Sequence, residues 1–153
     1  MSAALVVLTN GPCARVYAEV AGVGVNNDGR RKSAFSQPSH AGQVEVIRAA
    51  LDDALVEPHE VDYVEAHGTG TSLGDPIEAN ALSRTYYRTA PAGETSPSPL
   101  LVGSVKSNIG HLEANAGITG VLKCVLMSKY ATGLPNVHMR CLNPHLDTTG
   151  WPA

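Results

Sequence analysis

Two histidines occupy matching positions in the sequence, 44 residues apart, and each stands where a predicted strand gives way to a helix. His67 follows the run 61–66, in which residue character alternates as in a strand, and His111 follows the apolar run 100–105 and a short loop. Imidazole can exchange a proton near neutral pH, which suits it to acid–base chemistry. One histidine of this kind is most often structural. Two of them beside glycines, which let a substrate backbone approach, favour a functional interpretation.

Three further polar side chains flank the histidines. Thr69 and Thr71 alternate with glycines, so both hydroxyls can point at one ligand; the alternative is an ordinary turn. Lys106 comes directly after a predicted buried strand and five residues before His111. A lysine at this position predicts either an ion pair with a carboxylate or a place in the site, because lysine is rarely buried without a partner.

Asp75 and Glu78 are interpreted as helix caps rather than as acid–base carboxylates. The run 75–78 combines an N-cap residue, a proline at the first helical position and a glutamate three residues after the cap. These features predict a helix from Asp75 to about Tyr87, and they explain both carboxylates without catalysis.

Nucleotide and metal sites are not expected. Gly22-Val23-Gly24 lacks the third glycine of a dinucleotide-binding loop, and no glycine loop is followed by Gly-Lys-Ser/Thr. His138, Cys141 and His145 have spacings that could bind zinc, but a second cysteine pair is missing and Pro144 lies within the stretch.

The three cysteines do not suggest a disulfide framework, since their number is odd and their spacing irregular. Cys13 follows a proline in a turn, Cys124 lies in the middle of a predicted helix, and Cys141 lies in the tail. None has the setting of a nucleophile. Reduced thiols, buried or incidental, are expected.

Length and charge narrow the class of protein. A chain of 153 residues with 43% apolar residues can form one domain, or part of one, with a real core. Its 14 acidic residues outnumber its 11 basic residues, so no general cationic field is available for nucleic acid or an anionic membrane. No apolar run is long enough for a membrane helix, and the N-terminus does not have the pattern of a signal peptide. A cytoplasmic location is predicted.

The order of predicted elements indicates a layered α/β fold with functional loops at the carboxyl ends of the strands. The helix that starts after Ser39 is predicted to be capped by that residue and to end before Pro58. The predicted strands are 5–8, 16–20, 61–66 and 100–105. The predicted helices are 40–56, 75–87 and 112–130. The remaining residues are predicted to be loops, including 107–111 and an extended tail from Gly133.

Two of the predicted helices carry apolar stripes that should face the core. The helix from Leu112 to Tyr130 has the wider stripe and is predicted to be buried. Its two glycines, Gly117 and Gly120, predict that another backbone passes close by. The stripes consist of Val44, Ile47, Leu51 and Leu55 in the first helix and of Ile118, Val121, Leu122, Val125 and Leu126 in the last.

Three segments closely resemble the β-ketoacyl synthase domains of type I modular polyketide synthases and animal-type fatty acid synthases. They are VEAHGTGT at 64–71, GDPIEA at 74–79 and GSVKSNIGH at 103–111. The resemblance extends over nearly the whole chain from about Val16. It implies a thiolase-like layered αβαβα fold, of which residues 1–153 would form the C-terminal half of the duplicated unit.

The resemblance also implies an acyltransferase activity of the 3-oxoacyl-[acyl-carrier-protein] synthase type. The reaction would be a decarboxylative Claisen condensation of an acyl thioester with a malonyl-type extender. His67 and His111 would hold the extender carbonyl, Thr69 and Thr71 would bind the pantetheine arm, and Lys106 would order the site. No cofactor would bind directly, because the substrates are carried on the 4'-phosphopantetheine of an acyl carrier protein.

The family's nucleophilic Thr-Ala-Cys-Ser-Ser turn and its closing Gly-Phe-Gly-Gly-Thr-Asn segment are both absent from these residues. The chain alone is therefore expected to be inactive, poorly soluble and dependent on an N-terminal ketosynthase half, in a domain that forms a homodimer. Gly120, nine residues after His111, favours the multimodular class. The alternative is a degenerate, non-catalytic interaction module, although the presence of both histidines, both threonines and Lys106 argues against decay.

Overall fold

The computed structural model describes residues 6, 8, 11, 15–29, 37–86 and 99–147. Helices and strands alternate within these ranges, as the sequence predicts. The helices are α1 (His40–Ala54), α2 (Gly74–Thr85), α3 (Lys106–Ile109) and α4 (Ala116–Tyr130), and the strands are β1 (Tyr63–Glu65) and β2 (Leu101–Gly103). Short 3₁₀ turns cover Pro58–Glu60 and Glu113–Asn115.

The two strands form a parallel pair with α2 as the crossover between them. Tyr63 lies opposite Leu101, and Glu65 lies opposite Gly103. The backbone N–H of Ala66 donates to the Gly103 carbonyl at 2.7 Å, one residue beyond β1. Because parallel strands end at the same edge, the segments that follow β1 and β2 emerge side by side.

Helix α1 begins at the predicted residue and buries two residues of its predicted apolar face, but the last residue of that face is exposed. Ser39 caps the helix through its hydroxyl, which accepts the Gly42 N–H at 3.1 Å. Val44 and Leu51 are buried, and α1 packs against α2. Leu55, predicted to join this face, is 92% exposed because it ends the helix in the left-handed conformation, at φ 55°. The helix therefore ends at the left-handed Leu55, three residues before Pro58.

Several predicted boundaries are wrong. Helix α2 begins at Gly74 after an N-cap at Leu73, so Asp75 lies within the first turn. The predicted loop 107–111 is largely the short helix α3. Residues 16–20 are exposed and form no strand, since no described strand lies beside them to complete a ladder. The predicted partner strand, 5–8, lies mostly outside the described residues.

Helix α4 presents an unexpected face to the sheet. A 3₁₀ turn precedes it, so the α-helix starts at Ala116 rather than at Leu112. Its buried residues are Ala116, Gly120, Lys123 and Met127, which recur every three or four positions along one side. Much of the predicted stripe faces outward instead, and Val121, Leu122 and Leu126 are 47%, 39% and 50% exposed within the described structure.

The glycines of α4 differ in their surroundings, and neither meets another backbone within the described ranges. A Cβ on Gly120 would lie 3.1 Å from Glu65 Cγ, whereas one on Gly117 would meet no described atom within 4 Å. The tail from Gly133 is irregular and contains turns at 137–138 and 144–145. None of the helices in the described ranges combines the length and apolar character that crossing a lipid bilayer requires.

Candidate functional site

The imidazole rings of His67 and His111 lie together at the edge where β1 and β2 end. His67 follows β1 by two residues, and His111 follows α3 by two residues. The ring centroids are 5.6 Å apart and the ring planes meet at 90°. Both residues are exposed, so the rings border open space into which a ligand could enter.

The ring of His111 is held by the backbone that follows it. The Glu113 N–H donates to His111 Nδ1 at 3.0 Å. A neutral imidazole whose Nδ1 accepts a hydrogen bond carries its proton on Nε2. His111 therefore offers an N–H donor at the tip of the ring.

Two carboxylates from α2 hold the loop that carries His67. Glu78 accepts the N–H of His67 at 2.6 Å through one oxygen and the N–H of Gly68 at 2.9 Å through the other. Asp75 accepts the N–H of Gly70 at 3.1 Å. The interpretation of both residues as caps of their own helix is wrong, because α2 has its N-cap at Leu73 with no side-chain cap bond and both carboxylates accept N–H groups of this loop instead. The sequence contained a signal for this contact. Carboxylates three residues apart lie on one face of a helix, and here that helix follows directly after a glycine-rich loop whose N–H groups need acceptors.

The loop depends on a glycine at position 68. Gly68 has φ 47°, in the left-handed region that favours glycine. A Cβ there would also lie 2.9 Å from Ser104 Cβ, on the segment after β2. The Ser104 hydroxyl donates to the carbonyl of His67 at 3.5 Å, a long contact between the two loops. The two histidine-bearing segments therefore touch through Gly68 and Ser104.

Thr69 and Thr71 both border the start of α2. The Thr71 hydroxyl oxygen accepts the Gly74 N–H at 3.0 Å, which leaves its own O–H free to donate. A Cβ on Gly74 would lie 2.5 Å from this oxygen and 3.9 Å from the Thr69 hydroxyl oxygen. The Asn143 side chain donates to the Thr71 carbonyl at 3.3 Å, so the C-terminal tail also contacts this loop.

Lys106 lies at the start of α3 and is half-buried. Its backbone N–H reaches the Ser104 hydroxyl at 3.4 Å. Its ammonium group forms no ion pair or hydrogen bond with the part of the chain that the structure describes. Of the two alternatives for Lys106, pairing with a carboxylate is therefore not seen among the described residues.

A buried carboxylate beneath the site was missed by the sequence analysis. Glu65 pairs with Lys123 Nζ at 2.9 Å, and their side chains are 9% and 4% exposed. The other oxygen of Glu65 accepts the N–H of Val105, and Tyr63 donates its hydroxyl to the oxygen that meets Lys123. Burial and this carboxylate raise the pKa of Tyr63, so the phenol keeps its proton. The sequence did contain a signal for this ion pair, because Glu65 and Lys123 carry opposite charges in segments that were predicted to be a strand and a buried helix.

The described cysteines stand apart from the histidines. Cys124 lies on α4 and is half-buried, and Cys141 is exposed in the tail. Burial, with a smaller effect of Glu65, raises the pKa of the Cys124 thiol and makes it a poorer nucleophile. Within the described ranges, no three His, Cys, Asp or Glu side chains gather as ligands for a metal ion.

Comparison with known families and structures decides what this arrangement belongs to. The family model described as the C-terminal domain of β-ketoacyl synthase matches residues 17–140. The chain belongs to this family. The paired histidines, the threonine loop and the buried carboxylate are therefore features of a ketosynthase domain.

Solved ketosynthases share the fold. Ketosynthase twelve of the bacillaene polyketide synthase of Bacillus amyloliquefaciens is 40% identical with a TM-score of 0.78, and the match covers 90% of this chain and 24% of that chain. The OzmH KS7 ketosynthase domain for oxazolomycin from Streptomyces albus is also 40% identical with a TM-score of 0.79, over 90% of this chain and 23% of that chain. The predicted thiolase-like fold is confirmed.

Curated relatives are much longer polyketide synthases. A phenolphthiocerol/phthiocerol polyketide synthase of Mycobacterium tuberculosis is 49% identical over 150 residues, which cover 91% of this chain and 8% of that protein. Erythronolide synthase EryA2 of Saccharopolyspora erythraea is 50% identical over 132 residues, covering 86% and 4%. The ketosynthase chain thus spans less than a tenth of the length of these relatives.

Proposed function

We propose that this chain supplies the two-histidine part of a condensing site in a polyketide synthase. The reaction is the decarboxylative Claisen condensation of an acyl thioester with a malonyl-type extender thioester. The observation that carries this proposal is the 5.6 Å separation of the His67 and His111 rings at the open edge of the strands. Two imidazoles at this distance can both reach one thioester oxygen.

Decarboxylation of the extender is the step assigned to the histidines. The bond between the α-carbon and the free carboxylate breaks, CO₂ leaves, and the electron pair moves toward the thioester oxygen as an enolate. Hydrogen bonds from His67 and His111 stabilise the negative charge on that oxygen. The α-carbon of the enolate then attacks the carbonyl of an acyl-cysteine, and the cysteine thiolate leaves.

The hydrogen bond from Glu113 supports the role of His111. Because Nδ1 is occupied as an acceptor, the neutral ring presents its Nε2–H to the substrate. A preorganised donor of this kind needs no rearrangement when charge develops on the oxygen. Lys106, at the start of α3 and five residues before His111 in the sequence, is the proposed ordering group of the site.

Thr69 and Thr71 are the proposed contacts for the pantetheine arm. The Thr71 hydroxyl has a free O–H after accepting from Gly74, and the Thr69 hydroxyl lies on the same side of that glycine. Hydroxyls can hydrogen-bond the amide groups of the arm and hold the thioester beside the histidines. The arm would arrive attached to an acyl carrier protein, which makes that protein the main partner.

The attacking cysteine is proposed to come from another part of a complete ketosynthase domain, which forms a homodimer. Neither described cysteine lies in the histidine-bearing loops, and burial disfavours the thiolate of Cys124. In this proposal residues 1–153 are the C-terminal half of the domain, and they form no acyl-enzyme by themselves.

Mass spectrometry of two samples tests this assignment. The 153-residue chain and a complete ketosynthase domain containing it are each incubated with an acyl-pantetheine thioester, and the complete domain is also assayed for CO₂ release from malonyl-pantetheine. We expect a hydroxylamine-labile acyl adduct and CO₂ release from the complete domain only. A stoichiometric adduct on the short chain contradicts the proposal. A folded complete domain that forms no acyl adduct and releases no CO₂ favours the non-catalytic interaction module. Acylation of the complete domain without CO₂ release contradicts the decarboxylation role of the histidines.

A further inference from the structure

The Glu65 carboxylate joins three parts of the chain that the strand pairing alone leaves separate. It belongs to the last residue of β1, it accepts the N–H of Val105 beyond β2, and it pairs with Lys123 on α4 at 2.9 Å. Strands β1 and β2 are only three residues long, and the Ala66 to Gly103 hydrogen bond is their last backbone contact. The segments beyond that point need other contacts to keep their spacing.

Those segments carry the two histidines. Glu65 stands two residues before His67, and Val105 is the N-cap residue of α3, which leads to His111. The bond from Val105 to Glu65 therefore ties the start of the His111 segment to the end of the His67 strand. Lys123 and Tyr63 both hold the carboxylate oxygen that does not contact Val105. Both oxygens of the carboxylate are thus held by partners from other residues.

We infer that Glu65 is a positioning residue that sets the separation of the two histidine rings. Its effect on catalysis rests on the proposed function, whereas its effect on ring separation does not. Buried ion pairs add little to stability compared with apolar packing, because desolvation of both charges offsets their attraction. A buried Glu65–Lys123 pair is therefore better explained by the geometry that it imposes than by the stability that it adds.

Gly120 makes room for this arrangement. A Cβ at position 120 would lie 3.1 Å from Glu65 Cγ, so any side chain on that helix position points into the space of the glutamate. Glycine weakens a helix relative to alanine, and its presence in α4 is accounted for by this contact. The same geometry means that a carboxylate placed at position 120 could occupy the space vacated by truncating Glu65.

The test uses three variants of a complete ketosynthase domain containing this chain. Glu65→Gln keeps the shape and removes the charge, and Glu65→Ala removes the side chain. The double variant Glu65→Ala with Gly120→Glu returns a carboxylate from the opposite side. Lys129→Met, an exposed change on the same helix as Lys123, serves as the matched control. Values of kcat and KM for CO₂ release from malonyl-pantetheine are measured for each.

We expect Glu65→Gln and Glu65→Ala to lower kcat on the order of 10- to 100-fold, because misplacement by about 1 Å costs that much. KM should change little, since Thr69 and Thr71 are untouched. The double variant should recover most of the loss of Glu65→Ala, and the control should match the parent domain. An unchanged kcat in Glu65→Gln, or no recovery in a folded double variant, overturns the inference.

Crystal structures of the parent domain and Glu65→Gln separate this inference from the proposed function. We expect the His67–His111 ring separation in the variant to depart from that of the parent by about 1 Å or more. An unchanged separation overturns the positioning role. If the parent domain releases no CO₂, or if His67→Ala leaves CO₂ release intact, the proposed function fails, and the crystallographic comparison still decides the role of Glu65.

Discussion

His67 and His111 meet edge to face, with ring centroids 5.6 Å apart, although they stand 44 positions apart in the sequence. The parallel pairing of β1 and β2 delivers both residues to one edge of the sheet. Beyond the strands, Glu78 accepts the N–H of His67, and Glu65 at the end of β1 accepts the N–H of Val105 at the start of α3. The two histidine-bearing segments are therefore both held by carboxylates from outside their own loops.

Glu78→Gln should lower the free energy of unfolding by roughly 1–3 kcal/mol, because the amide has only one acceptor oxygen for the two N–H groups of His67 and Gly68. Urea unfolding of the variant and of the parent protein measures the difference in the free energy of unfolding. Asp62→Asn is the control, since the exposed Asp62 carboxylate makes no hydrogen bond with the described residues. Equal midpoints for the two variants would show that Glu78 does not hold the loop.

Gly68→Ala and Gly117→Ala should change stability in opposite directions. At position 68 a Cβ meets Ser104 and a left-handed backbone, so a loss of at least about 1–2 kcal/mol is expected. At position 117 the Cβ meets no described atom, and alanine should strengthen α4 by about 1 kcal/mol. Thermal unfolding of both variants tests the pair of predictions. Stabilisation by Gly68→Ala would contradict the described conformation of the loop.

Thr69→Val and Thr71→Val should each raise KM for a pantetheine thioester by roughly 5- to 10-fold, the amount that one lost hydrogen bond of about 1 kcal/mol or slightly more represents. The value of kcat for CO₂ release should change far less, because the histidines are unaltered. Thr71→Ser, which keeps the hydroxyl, is the control and should keep the parent KM. A KM that stays constant in both valine variants would remove these residues from the pantetheine contact.

Cys124 should react with iodoacetamide more slowly than Cys141 in the folded protein. Burial raises the pKa of the Cys124 thiol, so at a given pH a smaller fraction is thiolate, and the half-buried side chain is also less accessible. Cys141 is exposed. Peptide mass spectrometry after labelling at pH 8 compares the two rates, and labelling in urea should make them similar. Faster labelling of Cys124 in the folded state would contradict its described surroundings.

Local signals in the sequence predict much of this fold. The Ser39 cap, helix α1 and the alternation of strands and helices follow from short-range patterns and are confirmed. The prediction that the wide apolar stripe of α4 faces the core is wrong, because small residues and Lys123 face β1 while Val121 and Leu126 face outward. Hydrophobic periodicity gives the type of element but not the face that the rest of the chain covers.

The supporting contacts of the site are the part that the sequence does not reveal. Glu78 looks like a capping residue, yet its partners lie 10 and 11 residues earlier in the chain. Glu65 meets Val105 across 40 residues and Lys123 on a different helix. Such pairs depend on strand register and helix placement, which no short motif encodes.

The rate of CO₂ release from malonyl-pantetheine by His67→Ala, His111→Ala and the double variant of a complete ketosynthase domain tests the central claim most directly. Urea unfolding confirms that each variant is folded. We expect each single variant to lose on the order of 100- to 1,000-fold in rate. The double variant should lose less than the product of the two effects, because both rings act on one oxygen. A folded single variant that keeps the parent rate would contradict the two-histidine site.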